Sequence, residues 1–199
     1  MSQPLIDIRN LTKDFQRGHQ RIRAVDDVSL SIGIGEIVGL VGESGSGKST
    51  LGRTLVGLHP KTAGEIFFKG FALPTAYRTG DFLRYARSMQ MIFQDPYSSL
   101  NPRMTAGEIV GEALQLHSDF NKTEVAARVE EWLIKVGLNI DHLGRYPHEF
   151  SGGQRQRIGI ARALILEPEF VVCDEPISAL DVSVQAQVVD LLAELKRSL

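Results

Sequence analysis

The chain of 199 residues has few of the features that mark secreted, disulfide-linked or membrane-spanning proteins. Cys173 is its only cysteine, which excludes an internal disulfide and a zinc site built from cysteines, and which fits a reducing cytoplasm. No window approaches the roughly 18 apolar residues of a membrane-spanning helix. The first residues also lack the basic start and apolar stretch of a secretory signal. We therefore expect that, if the protein works at a membrane, it docks there on other subunits.

The chain also lacks an excess of charge of either sign. Its formal net charge is −2, so nothing in the composition favours nucleic acid as a partner. Hydrophobic residues make up 43% and charged residues 23% of the chain, which is the composition of an ordinary globular protein. The length allows one domain with subdomains rather than two independent domains.

A glycine-rich loop is the most informative motif in the sequence. Residues 42–49 read Gly-Glu-Ser-Gly-Ser-Gly-Lys-Ser and match the pattern G-x-x-x-x-G-K-S/T at every fixed position. Glycines let the backbone approach a triphosphate closely. The N–H groups of the loop and of the following helix N-terminus can then cradle the phosphates. The predicted phosphate-binding residues are Gly42, Glu43, Ser44, Gly45, Ser46, Gly47, Lys48, Ser49 and Thr50.

Two side chains of this loop have distinct predicted roles. Lys48 supplies a positive charge for the β- and γ-phosphates, and the Ser49 hydroxyl is a ligand for Mg²⁺. The apolar run Gly35–Val41 before the loop predicts a buried strand, and leucines at helical spacing follow it. This strand–loop–helix context favours ATP and Mg²⁺ binding over a glycine-rich turn that matches the pattern by chance.

A second acidic site follows a later strand. The apolar run Phe170–Cys173 ends in Asp174 and Glu175. An aspartate at such a strand end holds magnesium in phosphate-loop enzymes, and the next carboxylate can act as the general base for the attacking water. The alternative is a solvated acidic turn. We expect Cys173 to be a small buried packing residue.

Helical patterns occupy much of the second half of the chain. Ile109, Ala113 and Leu116 have the spacing of one helix face, and a clearer stripe runs through Val125, Val129, Leu133 and Val136. Asn121 and Glu124 have capping-box spacing, and Gly137 is a suitable C-terminal cap. These patterns predict a helical subdomain inserted into an α/β chain. A last amphipathic helix is still in progress at Leu199.

Residues 150–157 carry a resemblance to a known family. Ser151, Gly152, Gly153 and Gln154, preceded by Phe150, resemble the LSGGQ signature of ABC-family ATPases. Ser151 and Gln154 have capping-box spacing, so a helix begins here with its free N–H groups available to an anion. An ordinary capped helix is the alternative. In the family, that anion is the γ-phosphate bound by the opposite subunit.

The resemblance covers essentially the whole chain and implies further site residues. Gln94 resembles the Q-loop glutamine, which contacts the metal and the attacking water. Residues 178–181, which end at Asp181, resemble the D-loop at the dimer interface. Phe15 lies where the family has the aromatic residue that stacks on adenine, although a lone Phe after a strand is more often a core residue.

The resemblance also implies the fold class and its parts. We expect an α/β fold of the P-loop NTPase class, with a RecA-like core, an N-terminal antiparallel β subdomain and an inserted helical subdomain. Residues 1–93 would form the β subdomain and the phosphate-loop part of the core. Residues 94–165 would form the helical subdomain with the signature motif. Residues 166–199 would hold the Walker B strand, the D-loop and the following helix.

The segment Phe93–Met104 resembles the ATPases of dipeptide, oligopeptide and nickel importers, and Gln154–Leu164 agrees. A turn-rich loop is the alternative interpretation, since the segment contains Pro96, Asn101 and Pro102. The resemblance implies a second ABC ATPase subunit, identical or related, with permease subunits and, indirectly, an extracytoplasmic solute-binding protein. The protein would lie on the inner face of the cell membrane. A soluble ABC ATPase of DNA repair, translation or iron–sulfur assembly is the alternative function.

Besides Phe150, which stands in place of the signature leucine, the sequence departs from the family pattern in its histidines. Family members carry a switch histidine after the D-loop helix, whereas all the histidines of this chain precede Glu175; they are His19, His59, His117, His142 and His148. We therefore expect a chain whose C-terminal part is missing, and which binds ATP but hydrolyses it slowly.

Overall fold

A computed structural model describes residues 3–177 and 181–198. The chain divides into two compact units, Met1–Tyr85 and Ala86–Leu199. The subdomain boundaries that the sequence predicts, between residues 93 and 94 and between residues 165 and 166, differ from this division of the chain. They stay predictions. Within the described part of the chain, no helix is both long and apolar enough to cross a membrane.

The first unit is built on an antiparallel sheet of four strands. The strands are β1 (Ile6–Arg17), β2 (Gln20–Ile32), β3 (Ala63–Phe68) and β4 (Phe71–Ala72), in the order β2-β1-β3-β4. Alternation along β1 buries Ile6 and Ile8, and irregular register beyond Ile8 then places Leu11 in the same core. The predicted N-terminal antiparallel β subdomain is therefore confirmed.

Two helices complete this unit, α1 (Lys48–Leu55) and α2 (Thr79–Tyr85). The leucine pattern after the glycine-rich loop predicts α1 well, because Leu51 and Leu55 are buried. Leu58 lies beyond the end of α1 and is 45% exposed.

The predicted buried strand at Gly35–Val41 is wrong. These residues form no strand, and Ile37 and Val41 are 74% and 96% exposed. A strand needs a neighbour that satisfies its backbone N–H and C=O groups, and none of the described strands pairs with this run. Apolar composition alone therefore did not suffice to build the strand.

In its described residues, the second unit combines a parallel strand pair with five α-helices and two short 3-10 helices. β5 (Met89–Ile92) pairs with β6 (Phe170–Cys173) in parallel, so that Met89 lies opposite Phe170 and Ile92 opposite Cys173. The helices are α3 (Pro96–Ser99), α4 (Ala106–His117), α5 (Lys122–Lys135), α6 (Gly152–Leu164) and α7 (Val182–Ser198). The apolar faces of α4, α5, α6 and α7 form one core cluster, in which Trp132 and Leu133 are fully buried. This arrangement agrees with the predicted helical subdomain.

The predicted apolar stripe of α5 is confirmed, whereas that of α4 is confirmed only in part. Val125, Val129, Leu133 and Val136 are all buried, and Gly137 ends the helix with a positive φ of 73°. On α4, however, Leu116 is 64% exposed, and Leu114 takes the buried position. The face of α4 that packs in the core is formed by Ala106, Ile109, Val110 and Leu114, and it is rotated from the predicted stripe.

Replacing Asn121 by alanine should lower the free energy of unfolding by about 1 kcal/mol. The Asn121 Oδ1 atom accepts hydrogen bonds from the N–H groups of Thr123 and Glu124, and Glu124 Oε2 accepts one from the Asn121 N–H. The alanine would leave the first N–H groups of α5 without these partners. Urea unfolding would measure the difference, with Lys122→Ala as the control at the exposed next position. Equal stability of the two variants would contradict the cap.

Candidate nucleotide-binding site

The glycine-rich loop has a backbone that only glycine adopts without strain. Gly45 and Gly47 have φ angles of 80° and 95°, in the left-handed region. Gly47 also lies against β2, since a Cβ atom at this position would be 2.0 Å from the carbonyl oxygen of Ala24. It is the N-cap residue of α1, so its conformation sets the direction in which the chain enters that helix. The glycine of the fixed G-K pair is therefore required by two independent geometric constraints.

Lys48 folds back over the loop that precedes it. Its Nζ atom donates hydrogen bonds of 2.9 Å to the carbonyl oxygens of Gly42 and Glu43. Residues 43–46 are exposed, and Ser49 and Thr50 lie half-buried in the first turn of α1. An exposed loop with an ammonium group above it and a helix N-terminus behind it has the chemistry of an anion cradle.

Phe15 lies near the end of β1 and is half-buried, so it is not part of the closed core of the first unit. Its ring meets the His59 ring edge-on, with centroids 5.2 Å apart. The Lys13 Nζ atom is 4.6 Å from the centroid of the Phe15 ring. The role of Phe15 as an adenine-stacking residue stays a prediction.

In the second unit, the carboxyl ends of β5 and β6 bring together the polar residues that the sequence predicts. The Asp174 N–H donates to the Ile92 carbonyl oxygen at 2.9 Å, which extends the strand pairing by one residue. The Gln94 Nε2 atom donates to Glu175 Oε2 at 3.1 Å. Asp174 is buried, whereas Gln94 and Glu175 are exposed. Carboxylate and amide oxygens are ligands that Mg²⁺ accepts, so the donor set at this edge fits that ion.

Glu175 has a strained backbone. Its φ angle of 42° lies in the left-handed region, which a residue with a side chain enters at a cost. Strain of this kind concentrates at functional positions. Here the conformation accompanies a side chain that contacts Gln94, a residue that follows the neighbouring strand.

The prediction that Cys173 is a buried packing residue is wrong. Cys173 is exposed, and Val171 and Val172 are only half-buried. Among the described strands β6 pairs with β5 alone, so one edge of β6 has no neighbouring strand. The apolar run was therefore assigned to the correct strand, but its degree of burial was overestimated.

The signature motif forms the start of α6 as predicted. The Gln154 N–H donates to Ser151 Oγ at 3.3 Å, and the Ser151 N–H donates to Gln154 Oε1 at 3.0 Å. This reciprocal pair is a capping box. Ser151 and Gly152 are exposed, so the positive end of a 13-residue helix is open to an anion.

The predicted D-loop is only partly visible, because Ser178, Ala179 and Leu180 lie outside the described residues. Asp181 is exposed, and its carbonyl oxygen accepts from the N–H groups of Val184 and Gln185 at 2.9 Å. Val184 lies against the signature helix, since a Cβ atom on Gly153 would be 2.6 Å from Val184 Cγ1. Glycine at position 153 thus permits α6 and α7 to approach closely.

Two arginines of α6 were not foreseen as site residues. The Arg155 guanidinium lies 5.0 Å from the Tyr97 ring, and Arg162 Nη1 donates to the Ser99 carbonyl oxygen at 2.5 Å. Both therefore hold the segment that follows Gln94. Arg155 and Arg162 are seven residues apart and therefore lie on one side of the helix. This spacing is the feature of the sequence from which their shared role could have been predicted.

Comparison with known proteins agrees with this geometry. The family model described as ABC transporter matches residues 25–178. The chain is 54% identical to the oligopeptide transport ATP-binding protein OppF of Bacillus subtilis (strain 168), over 99% of the chain and 65% of that protein. It is 53% identical to a putative peptide import ATP-binding protein of Brucella ovis, over 98% of the chain and 62% of that protein. The chain thus spans less than two thirds of the length of these relatives.

A solved structure has the same fold. The dimeric post-hydrolysis state of the ATP-binding cassette MJ0796, bound to ADP and Pi, superposes with a TM-score of 0.88 at 30% identity. The alignment covers 97% of this chain and 83% of that one. These matches confirm the family resemblance and the P-loop NTPase fold class. The chain belongs to the ABC transporter family.

Proposed function

We propose that the protein is the ATP-binding and ATP-hydrolysing subunit of an ABC importer. The observation that carries this proposal is the glycine-rich loop, in which Gly47 and Lys48 are held in a geometry suited to phosphate binding. The family membership and the peptide-import names of the relatives support it.

Each predicted site residue has a proposed task. The loop N–H groups and Lys48 bind the phosphates of ATP, and Phe15 stacks on the adenine. Ser49, Gln94 and Asp174 are the proposed ligands of Mg²⁺, which when bound would neutralise charge on the phosphates. Glu175 accepts a proton from the attacking water, and Gln94 orients the Glu175 carboxylate through their hydrogen bond.

The signature helix is proposed to serve a second subunit. In the family's head-to-tail arrangement, the open N-terminus of α6 does not bind the phosphates held by its own chain. Instead it completes the phosphate-binding site of the opposite subunit. Asp181 would lie at the same interface. Closure of such a dimer, identical or mixed, on ATP would drive the permease, and hydrolysis would reset it.

The proposed contact with the permease is a cavity of about 240 Å³ in the second unit. It lies between β5, α4 and α6, beside the segment Phe93–Met104. Its lining includes Met91, Phe93 and the exposed Leu116, together with Arg162, which is fixed by Ser99. A recess lined by both apolar and charged side chains, next to the segment that follows Gln94, suits an amphipathic permease helix on the cytoplasmic face of the membrane.

The solute is proposed to be a peptide or nickel. The resemblance of Phe93–Met104 to importer ATPases and the names of the relatives support peptides. A solute-binding protein and the permease would select the solute, so the ATPase acts on it only through these partners.

Replacing Lys48 by alanine should weaken ATP binding by about 10- to 100-fold, because a hydrogen bond to a charged group contributes about this factor to affinity. Isothermal titration with ATP and Mg²⁺ would measure the affinity. Lys61→Ala is the matched control, because Lys61 also donates to a backbone carbonyl, that of Leu73, in the same unit but away from the loop. Retained affinity in Lys48→Ala would contradict the phosphate-loop assignment. Loss of affinity in both variants would indicate general destabilisation instead.

A further inference from the structure

The Phe15 ring is held by two neighbours that its proposed task does not account for. His59 meets it edge-on at 5.2 Å between centroids, which is a favoured geometry for two aromatic rings. The Lys13 ammonium lies 4.6 Å from the Phe15 centroid, within the range of a cation–π interaction. Both contacts lie within the first unit, and they restrain a ring that is itself only half-buried.

The Lys13 residue that carries this ammonium group is largely buried. The residue is 7% exposed, and within the described part of the chain no carboxylate forms an ion pair with its ammonium group. The face of the Phe15 ring attracts the Lys13 ammonium group, so Lys13 has a physical reason to remain against it.

The backbone of His59 is held by α1. The His59 backbone N–H donates to the Arg53 carbonyl oxygen at 3.2 Å. Burial lowers the pKa of His59 below its ordinary value, and the positive charges of Lys13 and Arg53 lower it further. Burial and these charges therefore favour the neutral form of the imidazole that contacts Phe15.

We propose that Lys13 and His59 are positioning residues that hold Phe15 for the base of the nucleotide, and that protonation of His59 weakens this part of nucleotide binding. The inference rests on the proposed function, because it assumes that Phe15 stacks on adenine. It goes beyond that function by assigning to His59 a pH dependence in the binding of the base.

The direction of the effect follows from the charges that face His59. These are Lys13 on β1 and Arg53 on α1, and both are positive. A protonated His59 adds a third positive charge to this group, so repulsion displaces its ring from Phe15. The restraint on Phe15 is thus present at neutral pH and is lost as the pH falls through the lowered pKa of His59.

The experiment compares two ligands at two pH values. ATP binds through its base and its phosphates, whereas inorganic tripolyphosphate binds through phosphates alone. The ratio of their affinities isolates the base, because protonation of the terminal phosphate affects both ligands. We expect this ratio to fall about two- to tenfold between pH 7.5 and a pH below the lowered pKa of His59, because an aromatic contact contributes a factor of this size.

Three variants test whether the change in this affinity ratio arises from His59, Lys13 and Phe15. His59→Phe keeps an aromatic ring at the position and removes the titratable group, so it should keep the ratio high at both pH values. Lys13→Met should lower the ratio at pH 7.5, and Phe15→Ala should lower it to a value that no longer depends on pH. Circular dichroism would verify that each variant is folded, and the comparison on the unsubstituted protein needs no variant.

Two results would overturn the inference alone. One is a ratio that does not change with pH in the unsubstituted protein, and the other is a pH dependence that persists in His59→Phe. If Phe15→Ala binds ATP as the unsubstituted protein does, the stacking role of Phe15 and this inference both fail. If neither ligand binds at either pH, the proposed function itself is wrong.

Discussion

Replacing Glu175 by glutamine should slow ATP hydrolysis by about 10²–10⁴-fold and leave ATP affinity unchanged. The amide has nearly the shape of the carboxylate but cannot accept the proton of the attacking water. Its oxygen can still accept the hydrogen bond that Gln94 Nε2 donates to Glu175 Oε2 in the unsubstituted protein. The local geometry should therefore survive, and the rate should change through chemistry alone. Phosphate release under single-turnover conditions, with protein in excess over ATP, would measure the rate.

The matched control for this prediction is Glu130→Gln, which makes the same chemical change at an exposed position of α5. It should leave the rate of phosphate release unaltered. We also expect Glu175→Gln to accumulate an ATP-bound dimer, which size-exclusion chromatography would detect. An unchanged rate in Glu175→Gln would reject Glu175 as the base. Loss of ATP affinity would show that its role is structural.

The features that the sequence predicted best are those encoded by neighbouring residues. The capping boxes at Asn121 and Ser151 each depend on a partner three residues away, and both form as expected. The positive φ at Gly137 likewise follows from a local pattern. Local hydrogen bonds and backbone preferences act within one turn of chain, so the sequence specifies them directly.

The wrong predictions concern burial, which depends on distant partners. Residues 37–41 and Cys173 are as apolar as core strands, but their exposure is set by which strands lie beside them. The exposed Leu116 shows the same limit on a helix, because the orientation of α4 is fixed by its contacts with α5 and α6. Sequence periodicity finds an element more reliably than it finds the side that packs.

The candidate site combines features that neighbouring residues encode with features that depend on distant partners. Its residue types were predicted from motifs, but the hydrogen bond between Gln94 and Glu175 joins residues 81 positions apart and required the parallel pairing of β5 with β6. The contact of Phe15 with His59 was likewise not foreseen, because nothing near Phe15 in the sequence indicates it. Motifs therefore predicted the chemistry, and the fold supplied the partners.

Replacing Gly47 by alanine should lower the free energy of unfolding by about 2–5 kcal/mol and weaken ATP binding at least about tenfold. The alanine would have to adopt a φ of 95°, and its Cβ would lie 2.0 Å from the Ala24 carbonyl oxygen. Because Ala24 is held in β2, the loop must move instead. Movement at this residue displaces Lys48 and the start of α1. Urea unfolding and ATP titration would measure the two effects.

Gly35→Ala separates the two causes. Gly35 has a φ of 70°, but a Cβ there would meet no atom within 4 Å, so the variant carries backbone strain without a steric clash. It should lose about 1–2 kcal/mol of stability and keep its ATP affinity. If Gly47→Ala proves no worse than Gly35→Ala in either measurement, the close approach to Ala24 is unimportant. A larger loss in Gly47→Ala would show that the contact between the loop and β2 fixes the geometry in which phosphates are bound.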